Sequence, residues 1–561
     1  MCTTTVVPPY RVPLVLTGLV ALLTLTACGG GGASGPGESG ASASAPKVNS
    51  VTATSDPIWL EGTSQVVTAE VDADTGASTA VTWTSSDSSV VRVDDAQAGR
   101  MTAVAQGSAT LTAASVQNPQ RAATLGVQVV GYDPIDLSRF SNFSIGQFAF
   151  AANGGIVLAG NDELSVENAS NFRLALLGPQ GDTLWDYTDD SDRVFRDVTI
   201  TQQNHIVAVG SVRPTNGKRL AAAWVFEQGE AGKPPQEFRT AYEIECPPPD
   251  NGPSIGPQYL AVAALPGAGA VIGGGIPNCS SDVLGTLLPP DGGNTDWTVS
   301  EPHIVPQEPP TTGWDIIDLH AMNAEYVVAA IDESTNGGDG RFDHQMWIAQ
   351  HAAGSDSELA KFGTRDSRND GSIERMVRGG LSVSTTDEAP PLVAEAWTAT
   401  LHDGTGKPRI NPFIVDSFTA NIKLFHVEPD GATTLKYGSP YTVQTPDGQN
   451  AAETTVVRVA FADADTLIVA GNTKTQLGDN ASEWPNSGSG YLLSLKLDGT
   501  RNQLTRNWIQ PLDNEVVEMA IDSFGRIAVL TNNTNNFETL ALLEGDTISF
   551  HPVAGPSAAS N

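Results

Sequence analysis

Positive charge is scarce in this chain. Lys and Arg number 30 against 64 Asp and Glu in 561 residues, a formal net charge of −34. So acidic a surface repels phosphate backbones, which excludes nucleic acid as an expected partner. Histidines number eight and stand singly, without the H-E-x-x-H spacing of a zinc site. Long apolar runs are missing except at residues 14–25, LVLTGLVALLTL. Twelve residues are too few to span a bilayer but suit the core of a signal peptide. Charged residues of all kinds make up only 17%, while 40% are hydrophobic. That is enough apolar material for packed cores, so wholesale disorder is excluded.

Cysteine is nearly absent too, with four in all. The apolar run ends in Leu25-Thr26-Ala27-Cys28. These four residues resemble the lipobox of bacterial lipoproteins. The resemblance implies cleavage after residue 27 and lipidation of Cys28, with several acyl chains giving stable anchorage. Gly29 follows rather than Asp, which by likeness to Gram-negative lipoproteins implies the outer membrane and the cell surface. Residues 28–46 are a Gly/Ser/Ala tether that holds the folded part away from the lipid. Cys2 lies in the removed segment, leaving Cys246 and Cys279 as an even pair in an oxidising compartment. A structural disulfide between them is expected, worth about 3–4 kcal/mol by chain entropy.

The length calls for two or more domains, and 56 glycines with 36 prolines suit a turn-rich all-β chain. Residues 47–131 read as short alternating strands with turns every 8–12 residues, a β-sandwich. The stretches VTWTSSDSSVVRVD (81–94) and GRMTAVAQGSATLTA (99–113) resemble the bacterial Ig-like group 2 domain. Trp83 is expected in the sandwich core. Ser85, Ser86 and Asp87 should form a side-chain-bonded turn, and Gly99 and Gly107 should supply turn geometry.

Residues 144–552 carry a degenerate repeat, within an expected propeller domain at 132–561. Each unit has an apolar strand, a tight turn and a very apolar strand often ending in Ala-Gly, as in FAFAANGGIVLAG (148–160) and VRVAFADADTLIVAG (457–471). A variable polar loop follows, then a strand, a Gly turn and often an aromatic, as in FRLALLGPQGDTLW (172–185). Seven such units indicate a seven-bladed β-propeller, and the pattern resembles bacterial propeller repeats. No N-terminal strand is evident that would complete the seventh sheet. Trp185, Trp297 and Trp508 recur at one structural place in the unit.

The first-to-second and third-to-fourth turns are short, while the second-to-third loops are long and irregular. In an up-and-down blade these lie on opposite faces, so the long-loop face is the expected binding face. Loops 331–344, 398–420 and 472–489 should form a raised rim over blades 4 to 6. Asp332, Asp339, Asp343, Trp397 and Trp484 are its candidate ligand-binding residues, the tryptophans as exposed rings that could stack on a sugar.

Chemistry motifs fail on context. GPSIG (252–256) lacks the strand-turn-helix setting of a nucleophile elbow. GAGAVIGGG (267–275) is a blade turn. Calcium could suit RDSRNDGSIE (365–374), but Arg368 stands where a ligand belongs, so no metal or cofactor is assigned. The sequence therefore reads as a monomeric, non-catalytic surface protein. It would bind a protein or glycan and meet the membrane only through its lipid. The alternatives are a glycan-active hydrolase or lyase, with an acid pair on the propeller, and a structural envelope component.

Overall fold

In a computed structural model of the chain, the described residues are 45–140 and, between 143 and 554, the strands and short turns named below. Residues 1–44 and the long loops lie outside the described residues. The architecture is all-β: an Ig-like sandwich followed by a propeller, with a three-residue 3-10 turn at Ser138–Phe140.

The sandwich packs one four-stranded sheet (Ile58–Leu60, Ala122–Val130, Gly107–Ser115, Val81–Ser85) against a three-stranded one. The latter holds Ser64–Val66, Arg100–Ala103 and Val91–Asp95, and a hairpin-like pair, Val48–Thr54 with Thr68–Ala73, completes the core. Trp83 is buried in that core beside Trp59, Met101 and Leu111. The Ser-Ser-Asp turn forms as expected. Ser85 Oγ donates to Asp87 O at 3.0 Å, and Ser86 Oγ accepts from Thr110 N at 2.8 Å. Gly99 adopts φ +68°, and a Cβ there would lie 2.2 Å from Val67 O, so no other residue fits this approach.

The propeller has seven blades. Blade 1 holds Ser144–Phe150, Ile156–Asp162 and Asn171–Leu177, paired to the first half of a long strand, Thr183–Ile200. The second half of that strand opens blade 2, with His205–Val212, Leu220–Glu227 and Gln236–Arg239. Blade 3 starts at Gln258–Ala264 and Ala270–Ile276, and blade 4 at Thr311–Ala321 and Tyr326–Thr335. Blade 5 pairs Leu381–Thr386 with Ala389–Leu401 and Ser417–His426. Blade 6 runs Thr454–Phe461, Thr466–Thr473, Ser489–Leu497 and Leu504–Pro511. Blade 7 has Glu515–Ile521, Arg526–Asn532 and Thr547–Pro552.

The seventh sheet is completed by the two-residue strand Ile135–Asp136, which pairs with Ile548 and Thr547. The chain that leaves the sandwich thus closes the ring. The segment also supplies Ile135, Leu137, Phe140 and Phe143 to the apolar cluster between blades 7 and 1. Every other seam between neighbouring blades has its own apolar cluster, so each sheet buries both faces against its neighbours. The first strands touch one another in order around the ring, and the seventh touches the first, so they line the central axis.

Two features of the repeat now have causes. The short first-to-second turns share a left-handed fourth residue: Gly154 (φ +77°), Asn204 (φ +62°) and Gly525 (φ +77°). Asn tolerates that region best after Gly. The glycine ending the second strand answers a β-bulge on the first. The bulge falls between Phe195 and Asp197, Tyr259 and Ala261, and Val456 and Arg458. It drives a carbonyl towards the second strand. A Cβ on Gly210, Gly274 or Gly471 would lie 1.9, 2.0 and 1.9 Å from Val194 O, Gln258 O and Thr455 O.

Candidate functional site

The same bulges re-aim one residue per first strand towards the axis. The residues just past them are Gln147, Asp197, Ala261, Asp318, Arg458 and Glu518, in blades 1, 2, 3, 4, 6 and 7. Gly380 holds the corresponding place in blade 5. The carboxylate of Asp197 accepts from Val262 N in the next blade at 2.9 Å, and that of Asp318 accepts from Leu381 N at 2.8 Å. Val262 follows Ala261 as Leu381 follows Gly380.

The charged members converge on Arg458. Its Nε and Nη2 donate to the two Glu518 oxygens at 2.6 and 2.9 Å, and its Nη1 donates to Asp318 Oδ2 at 3.1 Å. One guanidinium thereby ties blades 4, 6 and 7. It reaches past blade 5 because Gly380 has no side chain: a Cβ there would lie 3.1 Å from Arg458 Cδ. Each carboxylate also accepts from the N–H that follows it: Val198 at 2.8 Å, Leu319 at 2.9 Å and Met519 at 2.9 Å.

Burial disfavours the Arg458 charge, but Glu518 and then Asp318 outweigh it and hold the guanidinium above its ordinary pKa. Asp197 differs. Burial pushes its carboxyl up to about 7 against the pull of Arg458 and Val262 N–H, with the like charge of Asp318 adding to the rise. His320, two residues beyond Asp318, is held below its ordinary pKa by burial, opposed by Asp318. Three carboxylates thus face one arginine, and Asp197, which makes no hydrogen bond to it, is the one whose carboxyl burial pushes up.

A raised carboxyl pKa means the folded state binds more protons than the unfolded chain. Asp197 therefore favours folding at low pH, and that contribution is lost as pH rises from about 4 through about 7. Asp197→Asn removes the titration while leaving an acceptor oxygen. Its melting temperature relative to wild type should climb across that pH window and level off above it. A difference that stays flat with pH, by scanning calorimetry, would refute this account of Asp197.

The arrangement fastens blades. Every carboxylate oxygen of the ring accepts a backbone N–H or an arginine N–H. Among the described residues, no group of three or more His, Cys, Asp or Glu is placed to hold a metal ion. A Ser-His contact on the rim between blades 6 and 7 is also structural. Ser549 Oγ lies 2.9 Å from His551 Nε2, and Gln510 Nε2 lies 3.1 Å from His551 Nδ1. With the amide nitrogen on Nδ1, the imidazole donates through Nε2 and cannot take the serine proton. Burial holds His551 down at about 4.

The sandwich docks on one face of this ring. Gln106 Nε2 donates to Gln180 Oε1 at 2.7 Å, and Gln180 Nε2 donates to Val129 O at 3.0 Å. Buried Arg526 donates to Gly131 O and, at 2.7 Å, to Asp522 Oδ2. Arg139 donates to Gly181 O. Gln180 and Gly181 lie in the third-to-fourth turn of blade 1, and Asp522 and Arg526 bracket the first-to-second turn of blade 7. The sandwich therefore sits on the short-turn face, opposite the ends from which the long loops leave.

Of the residues singled out from sequence, Asp332 and Asp343 come onto neighbouring strands of blade 4 and Trp397 lies in blade 5. Trp397 is 5% exposed within Ala389–Leu401, so it offers no open ring for stacking; its strand continues four residues beyond it, where a loop was expected. Asp332 and Asp343 lie in the paired strands Tyr326–Thr335 and Phe342–Gln350, opposite His344 and Glu333, so most of the expected 331–344 loop is strand. Cys28, Cys246, Cys279, Asp339 and Trp484 lie outside the described residues. The channel residues were missed, though a signal exists. Each charged one stands inside an otherwise apolar first strand, alone in VVRVAF and VVEMAI and with a second charge in FRDVTI and DIIDLHA.

Residues 47–125 match the bacterial Ig-like domain (group 2) family. No curated protein matches the chain. Among solved structures, the Nup133 β-propeller domain of Vanderwaltozyma polyspora is 10% identical, over 74% of this chain and 96% of that one, with a TM-score of 0.41. The β-propeller domain of the Pyrococcus furiosus trilobed protease is 8% identical, over 75% and 99%, with a TM-score of 0.35. A mutant Trypanosoma rangeli sialidase displaying trans-sialidase activity is 11% identical, over 72% and 59%, with a TM-score of 0.34. The propeller assignment and its blade count rest on the strand pairing and seams above.

Proposed function

We propose that this chain is an exported, lipid-anchored surface protein that recognises a protein or glycan, without catalysis, through the long-loop face of its propeller. The carrying observation is the docking of the sandwich on the short-turn face. The chain enters the ring from that side through Ile135–Asp136. An anchor at Cys28 would therefore lie behind the ring, and the variable loops would face outward. The tie-up of the channel carboxylates in fastening supports binding over hydrolysis.

Two measurements test the reading. Cys28→Ser should abolish labelling by radioactive palmitate and release the protein from the membrane fraction. The chain beginning at residue 29, tested on glycan arrays, a surface-protein panel and soluble polysaccharides, should bind without releasing reducing ends. Shortening the 474–488 loop should weaken that binding at least tenfold. Turnover of a polysaccharide would replace the reading with the hydrolase alternative.

A further inference from the structure

Three seams between blades repeat one clasp. The residue after the bulge-facing position of a second strand grips the backbone of the next blade, at the residue just before its bulge. Asn161 Oδ1 accepts from Phe195 N at 3.0 Å across the seam between blades 1 and 2. Thr398 Oγ1 accepts from Val456 N at 2.9 Å between blades 5 and 6. Asn472 grips both backbone groups of Val516 between blades 6 and 7: its Oδ1 accepts from the N–H at 2.7 Å and its Nδ2 donates to the carbonyl at 3.1 Å.

Among the described residues, two seams depart from the pattern. Between blades 3 and 4 the clasp position is Gly275, opposite Gln258, which has no side chain and so strands no polar group. Between blades 2 and 3 a polar side chain is present but does not clasp. The clasp position there is Ser211, which opposes Val194 as Asn472 opposes Thr455 and Asn161 opposes Ser144. The backbone it should grip is that of Tyr259, the residue before the blade 3 bulge. Ser211 is 1% exposed and its Oγ has no hydrogen-bond partner. The Tyr259 hydroxyl on the same seam is also buried and unpartnered. Serine is one atom group shorter than asparagine and does not reach across. Buried polar atoms without partners are a standing cost to the closed state. Among the described residues, the Asp197 carboxylate, accepting from Val262 N at 2.9 Å, and Gln202 Oε1, accepting from Gly267 N at 3.1 Å at the exposed turn, do cross this seam.

We propose that the seam between blades 2 and 3 is a joint at which the ring opens, because its clasp residue is too short to hold the next blade and the closed seam strands two buried hydroxyls that opening would hydrate. The second strands on either side end at Val212 and Ile276, and both lead into connections on the long-loop face. Opening this joint moves those connections, so on the receptor reading above it lets the binding surface adjust. The mechanical claim itself does not depend on that reading.

Amide hydrogen exchange on the full chain, read by mass spectrometry, tests it. Peptides covering 258–264 should exchange about tenfold faster than those covering 515–521, the equivalent strand at the clasped seam between blades 6 and 7. One intramolecular hydrogen bond is worth about that factor. Ser211→Asn should supply the clasp, slow exchange at 258–264 by about tenfold and raise the melting temperature. Asn472→Ser should do the reverse at 515–521. Equal protection of the two seams in the wild type, or an Asn472→Ser variant with unchanged exchange at 515–521, would overturn the proposal. Either result can be obtained even if Ser211→Asn fails to fold.

Discussion

Arg458→Leu should destabilise the propeller by about 3–5 kcal/mol, because removing one partner of a buried ion pair strands the others. The stranded groups are Glu518 and Asp318, whose side chains are 5% and 11% exposed. Neither can recover full hydration inside the ring. A drop of roughly 5–10 °C in melting temperature is the expected reading for an effect of this size. The double variant Arg458→Leu/Glu518→Leu separates pairing from bulk. It should recover part of the loss, since replacing a buried pair with apolar groups is often neutral. Arg458→Lys should fall between, because an ammonium cannot fork to Glu518 and also reach Asp318. An Arg458→Leu protein that melts like the wild type would show that the channel charges do not fasten the blades.

Gly471→Ala should cost at least about 3 kcal/mol, beyond the usual range for adding one methyl to a core. Its Cβ would lie 1.9 Å from Thr455 O and 2.7 Å from Tyr491 Oη. That carbonyl cannot yield easily, because the Tyr491 hydroxyl donates to it at 3.0 Å and the strand is buried on both sides. Gly210→Ala, equally close to Val194 O, should behave the same way. Gly146→Ala is the control. It sits within the blade 1 bulge, yet a Cβ there meets nothing within 4 Å, so its change should stay below about 1 kcal/mol. Equal effects at Gly471 and Gly146 in chemical denaturation would reject close approach as the reason for these glycines.

Local chemistry is what the sequence decided by itself. The Ser85-Ser86-Asp87 turn, the core role of Trp83, the left-handed glycines and the alternation of short turns with long loops depend on neighbours a few residues away. They can be read from composition and spacing. The repeat unit followed for the same reason, since a strand buried on both faces must be apolar almost throughout. Tertiary structure decided everything that spans the ring. Ile135–Asp136 is too short to show periodicity and becomes a strand only when Thr547–Pro552 lies beside it. Trp397 looked like an exposed ring at the edge of a loop until Ala389–Leu401 ran past it, paired on both edges and buried it. Arg458 and Asp318 are 140 positions apart, and their contact needs both bulges and the missing side chain at Gly380. A bulge shifts which residues face the axis by one. The inward charge of a first strand is therefore fixed by strand pairing, which a pattern along one strand does not carry.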